Sequence, residues 1–149
     1  MAKNDVEVVV KAHLDKLYSE LDPAVKRTLR IMGMKAEKIA KQLLTDKEAV
    51  DTGFLRNSVT WAIGGEEAHK KSYKSKKDKK TDSYRTGTYS GTAPKKKQPC
   101  VYLGSNVAYA PDVEFGTSKM PERSFIREAV ESNKEEWKKI MEENLGEIK

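Results

Sequence analysis

One set of residues in this chain has the types and order that metal-dependent nucleases use. Pro111 and Asp112 are followed much later by Glu136 and, two positions on, by Lys138. In such nucleases the carboxylates hold Mg²⁺ and the lysine steadies the attacking water or the scissile phosphate. That chemistry needs the E-x-K pair on one face of a strand. The segment around Glu136 has helical periodicity instead, in which positions i and i+2 point about 200° apart. A nuclease is therefore disfavoured and is kept as a third hypothesis.

Other candidates for catalysis or metal binding are few. The two histidines, His13 and His69, lack the spacing of metal ligands, and we expect both to be solvated. Cys100 begins a predicted strand beside Pro99 with no local histidine, which favours ordinary packing over a nucleophile. As the single cysteine it allows no internal disulfide and fits a reducing compartment. We expect no catalytic residue, no metal site and no cofactor, and hence no enzyme.

The positive charge of the chain is concentrated in one segment. Between His69 and Lys97 an excess of nine positive charges occurs in a chain whose total is +6, so the rest of the chain is net acidic. The basic residues of this segment are Lys70, Lys71, Lys74, Lys76, Lys77, Lys79, Lys80, Arg85, Lys95, Lys96 and Lys97.

The sequence leaves three uses open for this basic segment. Lysines near phosphates give salt-dependent binding that is blind to base sequence, and Tyr73, Tyr84 and Tyr89 could stack on bases. The segment could instead dock on an acidic patch of a neighbouring subunit, which the acidic remainder of the chain favours. Like charges at this density also repel one another, so a solvated, extended arm is the third interpretation.

The elements that would position these residues begin with helices. A first helix is predicted over Asp5–Leu21 because apolar residues recur along one face: Val6, Val10, Leu14, Leu17 and Leu21. Asp22 and Pro23 suit the N-cap and the first position of a second helix. In that helix apolar residues recur every three or four positions from Val25 to Leu43.

Strands are predicted after the helices. Ser58–Ile63 alternates with period two. Residues 66–98 lack periodicity, and we interpret them as a long Lys-rich β-hairpin arm or extended loop that orders on assembly. Cys100–Leu103 is the predicted returning strand, and a long C-terminal helix is predicted from about Ser124. This order of elements indicates an α+β fold in which N-terminal helices and the C-terminal helix pack on a small antiparallel sheet.

Length and hydropathy limit the class of protein. One domain is expected over residues 1–149, with the basic arm as an insertion at about 66–98. No run of about 18 apolar residues occurs, which argues against a membrane span. The N-terminus has no apolar core of the signal-peptide type, so we expect no export.

Two strings carry a resemblance to a known family. Asp51–Ser58 reads D-T-G-F-L-R-N-S, and Val107–Ala129 reads V-A-Y-A-P-D-V-E-F-G-T-S-K-M-P-E-R-S-F-I-R-E-A. They resemble the gene-product-ten-like family of tailed-phage head–tail connection proteins, the neck or tail-completion class. That family carries T-G-x-L-x-x-S after N-terminal helices, and Y-A-x-x-V-E-x-G-T before a phenylalanine and a helix. The family often has proline where Ser124 stands here. The string residues of interest are Thr52, Gly53, Leu55, Ser58, Tyr109, Ala110, Glu114, Phe115, Gly116, Thr117 and Phe125.

The resemblance implies a structural virion component at the head–tail junction or the tail end. It would act in head–tail joining or tail completion. The resemblance suggests a ring of six copies with DNA in its lumen. Its partners would be copies of itself and other phage connector and tail proteins, without a membrane. It would be located in the virion, and in the host cytoplasm during assembly. A DNA-binding module that uses the basic arm on phosphates is the alternative.

The strings also predict local roles. We expect Glu114 to accept hydrogen bonds from backbone N–H groups of a neighbouring turn or helix start. Gly53 and Gly116 are expected to supply a positive φ or a close backbone approach. Leu55 should point inward, with the hydroxyls of Thr52 and Ser58 available for turn hydrogen bonds. The aromatic residues of the second string are expected to be core anchors, with subunit contacts as the alternative: Tyr109, Phe115 and Phe125.

Overall fold

The computed structural model describes residues 23–49 and 53–146, together with the backbone of Val6–Lys11. In chain order the elements are β1 (Val6–Lys11), α1 (Pro23–Asp46), α2 (Phe54–Ser58), β2 (Thr60–Ile63), β3 (Ser72–Lys74), β4 (Thr86–Thr88), β5 (Cys100–Ser105), α3 (Ala110–Phe115), α4 (Ile126–Glu131) and α5 (Lys134–Leu145). The fold is α+β with antiparallel sheets, as the sequence predicts. The described helices include none that is long and apolar enough to cross a bilayer.

The main sheet has three antiparallel strands in the order β1-β5-β2. In the central strand β5, Leu103 lies opposite Trp61 of β2 and Val8 of β1. All four residues of β2 are buried. Because successive strand residues point to opposite faces, both faces of β2 are covered. The strand predicted from Ser58 begins at Thr60, since the residues before it form the short helix α2.

Helix α1 covers one face of this sheet. It begins at Pro23, as the sequence predicts, and buries apolar residues at helical spacing: Val25, Leu29, Met32, Ala36, Ala40 and Leu44. Gly33 lies against the indole of Trp61, where an added Cβ would be 2.6 Å from a ring carbon. A glycine that weakens an isolated helix thus lets this helix approach the sheet closely.

The helix predicted over Asp5–Leu21 is wrong for Val6–Lys11, which form β1. Val6, Val8 and Val10 are spaced two apart, and their β-branched side chains favour strands. The spacing of four between Val6 and Val10 fits a helix and a strand equally, so the apolar pattern is ambiguous here. The rest of that predicted helix lies outside the described residues.

The single C-terminal helix of the sequence prediction is instead two helices. Helix α4 ends at Glu131 and α5 begins at Lys134. At the break, two side chains donate hydrogen bonds to backbone carbonyl groups. Trp137 Nε1 donates to Val130 O at 2.7 Å, and Asn133 Nδ2 donates to Ala129 O at 2.8 Å. These side-chain hydrogen bonds offset the helical backbone bonds that are lost.

The predicted hairpin is confirmed within residues 66–98, which we call the arm. Strands β3 and β4 pair antiparallel with Tyr73 opposite Gly87, and Glu67 forms a further bridge with Thr92. We call residues 76–83 the arm tip. Its turn is ordered by Asp78, whose Oδ1 accepts the Lys80 N–H at 2.7 Å.

Candidate functional site

The carboxylate of Glu114 is the most densely bonded polar group among the described residues. It is completely buried. Its Oε2 accepts the N–H groups of Phe125 and Ile126, each at 2.9 Å. Its Oε1 accepts the backbone N–H and Nε of Arg127, both at 3.0 Å, and the Ser124 hydroxyl at 2.9 Å. The expected hydrogen bonds from a helix start are therefore confirmed, because these donors open α4.

These donors also decide the ionisation of Glu114. Burial by itself raises the pKa of a carboxyl group. The N–H groups of Ile126, Phe125 and Arg127, together with the Arg127 guanidinium, outweigh burial and hold the pKa of Glu114 below its usual value. Glu114 is therefore a charged structural group at neutral pH, which binds the end of α3 to the start of α4.

Gly116 allows the chain to leave α3 toward α4. Its φ is 75°, and an added Cβ would lie 2.6 Å from the backbone nitrogen of Glu122. Both expectations for this glycine are thus confirmed. The next residue, Thr117, accepts the Lys119 N–H on its Oγ1 at 3.2 Å. Gly53 likewise has a positive φ, of 77°.

The aromatic residues of the second string have different environments. Phe125 is completely buried and anchors the core, as predicted. Phe115 is 55% exposed, and its ring lies 4.7 Å from the guanidinium carbon of Arg127, so the core prediction is wrong for it. The reason is local: Val113 and Glu114 occupy the inward side of a short helix. Ala110 is buried at the start of α3.

The first string packs under the end of β5. Leu55 is buried, as expected. The Ser58 hydroxyl donates to Leu55 O at 2.5 Å and lies 2.6 Å from the hydroxyl of Ser105, which confirms its predicted turn hydrogen bond. Thr52 lies outside the described residues. The Ser58–Ser105 contact connects the first string to the strand that leads into the second.

Two tyrosines attach the base of the arm to the rest of the fold. The Tyr73 ring is buried 5.1 Å from the Phe54 ring, and its hydroxyl donates to the Asn106 side chain. The Tyr89 hydroxyl donates to Ser58 O at 2.6 Å. Tyr73 is buried and so is not placed to stack on bases, and the base of the arm packs on the rest of the fold within a single chain.

Arg85 joins the arm to both strings. Its guanidinium carbon lies 4.5 Å from the centre of the Phe54 ring and 5.8 Å from that of Tyr109. Contacts of this kind between a cation and a ring stabilise by about 0.5–1 kcal/mol at exposed sites. Asn106 adds a hydrogen bond of 2.8 Å from its Nδ2 to Thr88 O. Residues that are far apart in the two strings therefore contact the same part of the arm.

Lys70 belongs to the folded base of the arm and is not a free cation. Its Nζ donates to Asn57 O and Val59 O and lies 3.7 Å from Glu37 Oε1. Burial, reinforced by the neighbouring Lys41, lowers the pKa of Lys70 to about 8, although Glu37 opposes that change.

Replacing Lys70 with methionine should remove a pH dependence of stability. The Lys70 pKa is about 8 in the folded chain and 10.5 in an ordinary lysine, so the unfolded state binds more protons between these values. The free energy of unfolding should therefore rise from pH 8 to pH 10.5 in the unchanged protein. Urea unfolding across this range should show a smaller rise in Lys70→Met than in a control, Lys71→Met. Equal slopes in the two variants would contradict the prediction.

Some of the other basic residues of the arm have a charged or aromatic partner, and others have no ion pair. Lys71 forms an ion pair with Glu67, and Lys77 with Asp82. The Lys74 ammonium lies 4.7 Å from the centre of the Tyr84 ring. Within the described part of the chain, the remaining lysines are exposed and have no ion pair: Lys76, Lys79, Lys80, Lys95, Lys96 and Lys97.

The candidates for catalysis that the structure describes have structural contacts or are buried. Glu136 lies in α5 and forms an ion pair with Lys35 of α1. His69 is exposed, and its ring stacks on Trp61 with the centroids 4.7 Å apart. Cys100 is buried; His13 lies outside the described residues. Across residues 23–49 and 53–146, no three His, Cys, Asp or Glu residues cluster as metal ligands.

Two contributors to these contacts were not predicted. Arg127 is a cation in the first turn of a helix, a position that the helix dipole disfavours. Such a misplaced charge is itself a signal that a buried acid lies nearby. Asn106 follows β5, and nothing in its sequence neighbourhood indicates a contact with Tyr73.

The function of the chain must be argued from its own residues. Searches among protein-family models, curated proteins and solved structures found no match to the chain. What supports an assignment is the pair of strings, their shared contact with the arm, and the charge that the arm displays.

Proposed function

We propose that this chain is a structural component of a tailed-phage particle, at the head–tail junction or the tail end. It joins head to tail or completes the tail by forming a ring. The observation that best supports the proposal is that residues of both strings contact the same residue of the arm. Phe54 of the first and Tyr109 of the second both lie against Arg85, and Ser58 contacts Ser105. The residues that resemble the connection family thus form one unit with the arm.

The hydrogen bonds of Glu114 add support to this proposal. Ordering flexible residues on association costs free energy, so a surface fixed beforehand binds more tightly. Glu114 and Gly116 hold the connection between α3 and α4 in one conformation. That connection presents Phe115 to solvent on a rigid support.

In this proposal the chain acts without a catalytic residue or a cofactor. Its partners are copies of itself, six in the ring that the resemblance implies, and the connector and tail proteins on either side. DNA would pass through the lumen. The chain would reside in the host cytoplasm during assembly and afterwards in the virion.

A joining assay tests the proposal. Particles assembled without this chain should accumulate unjoined heads or unfinished tails, and purified chain should restore complete particles counted by electron microscopy. Replacing Lys76, Lys79 and Lys80 with glutamine should reduce restoration about tenfold, equivalent to about 1.4 kcal/mol of docking free energy. These lysines are exposed, so stability should change by less than about 0.5 kcal/mol.

The matched control replaces three exposed lysines outside the arm with glutamine: Lys38, Lys134 and Lys138. It removes the same charge and should restore particles as the unchanged chain does. Complete, infectious particles formed in the absence of the chain would refute the proposal. Equal loss in the two triple variants would show that the arm tip has no special role.

The unpaired lysines of the arm tip also favour the second candidate, a DNA-binding module. That candidate requires an affinity for duplex DNA that falls steeply with salt. Neutralising three lysines that contact phosphates should reduce the slope of log K against log salt by about 2.7. Absence of measurable DNA binding at about 50 mM salt, where such contacts are strong, would remove this candidate.

A further inference from the structure

Phe115 is an exposed aromatic side chain on a rigid support. Its ring is 55% exposed and lies under the guanidinium of Arg127. Arg127 is itself fixed, because its Nη2 donates to Glu114 O at 3.2 Å and to Glu122 Oε2 at 3.3 Å. Aromatic residues and arginine held in this way are typical of the anchors that dominate protein interfaces.

Exposed carboxylates flank this aromatic side chain. Asp112 is exposed and precedes Phe115 by three positions, which places both on one side of α3. Glu122 is 58% exposed on the other side, next to Arg127. The Arg127 charge is already matched by Glu114 and Glu122. We call Asp112, Phe115, Glu122 and Arg127 the Phe115 knob.

A groove of about 620 Å³ lies among the described residues between the main sheet and the arm. Ala62, Tyr102 and Gly104 form its sheet side, on the face opposite α1, while Ser90, Thr92 and Ala93 form its arm side. Most of these side chains are small, so the groove has room for an aromatic ring.

Three lysines follow the groove lining along the chain. Lys95, Lys96 and Lys97 directly follow Pro94, which lines the groove. All three are exposed, and the described residues provide no ion pair for them. The knob is convex and carries exposed carboxylates, whereas the groove is concave and is followed in the chain by these lysines. Their shapes therefore match, and the opposite charges next to them favour contact.

We infer that the Phe115 knob of one copy inserts into this groove of a second copy. The inference rests on the proposed ring and names the contact that builds it. No residue that lines the groove belongs to α3, α4 or their connection, so one copy can use both surfaces at once. A contact between two different surfaces continues from copy to copy and closes into a ring when the rotation permits.

Cross-linking between two cysteine variants of the full chain tests this contact. Asp112→Cys places a thiol within the knob and leaves Phe115, Glu122 and Arg127 in place, while Lys96→Cys places one two residues after the groove residue Pro94 and leaves Lys95 and Lys97 in place. Mixed and treated with a short bis-maleimide, they should give at least about ten times more covalent dimer than a control mixture of Asp112→Cys with Tyr84→Cys. The unchanged protein, whose only thiol is the buried Cys100, measures background.

Adding Phe115→Ala to the Asp112→Cys chain should lower cross-linking about tenfold, with an unchanged unfolding midpoint. Dimers of Asp112→Cys with itself as the main product, or a yield no higher than with Tyr84→Cys, would overturn the inference. So would full cross-linking with Phe115→Ala. If the protein does not cross-link but still restores particles, the inferred contact is refuted and the proposed function is not. If the protein cross-links but particles are completed without it, only the proposed function is refuted.

Discussion

Replacing Glu114 with glutamine is expected to lower the free energy of unfolding by about 3 kcal/mol. The carboxylate accepts five hydrogen bonds from Ser124, Phe125, Ile126 and Arg127 while completely buried. A glutamine amide offers one oxygen and points an NH₂ group at the remaining donors, so buried N–H groups lose their partner. Urea unfolding at pH 7 measures the loss.

The control for this variant is Glu122→Gln. Glu122 bonds the same Arg127 but is 58% exposed, and such surface pairs contribute about 0–1 kcal/mol. The effect of Glu114→Gln should also depend on pH in a defined direction. Because the pKa of Glu114 is lowered from 4.5 in the fold, its stabilisation is present above pH 4.5 and is lost as the pH falls further. A difference between Glu114→Gln and the unchanged protein that does not narrow in acid would contradict this account.

The second large effect is expected at the base of the arm. Replacing Tyr73 with alanine should destabilise the docked hairpin by about 3 kcal/mol, because a buried aromatic ring and its bond to Asn106 are removed. The rate of cleavage by trypsin measures this effect, because proteolysis follows the population of the opened state. Cleavage after Lys71 and Lys74 should accelerate about 100-fold, in line with this free energy.

Tyr84→Ala is the matched control, because Tyr84 is 48% exposed and lies toward the arm tip. It should leave cleavage after Lys71 and Lys74 unchanged. Cleavage after Lys79 and Lys80, in the exposed tip, should be fast in all three proteins. A base that resists trypsin in Tyr73→Ala would show that the ring does not hold the arm in place.

The parts of the fold that were predictable are those that local patterns determine. Pro23 and the apolar stripe after it predict α1, and the alternation around Trp61 predicts β2. The acceptor role of Glu114 was predictable as well, because the first N–H groups of the helix predicted from about Ser124 need acceptors. For α1 and β2 the residues of one segment are sufficient to select its structure.

Contacts between distant segments decide what the sequence could not predict. Strand β1 is selected by its pairing with β5, since its valine spacing suits a helix also. The break between α4 and α5 is instead local: Trp137 donates to Val130 O, seven positions earlier, and the apolar periodicity does not reveal this bond. In the arm, the many lysines conceal two tyrosines that pack inward, and only the partners Phe54 and Asn106 reveal their role.

At position 124 a hydroxyl group restrains the path of the chain. The Ser124 hydroxyl donates to Glu114 at 2.9 Å and accepts the Glu128 N–H at 3.4 Å, so it ties the approach of the chain to both helices. A proline there would restrict the same approach through its ring. A search pattern that requires proline at this position would miss any chain in which a hydroxyl group restrains the same approach.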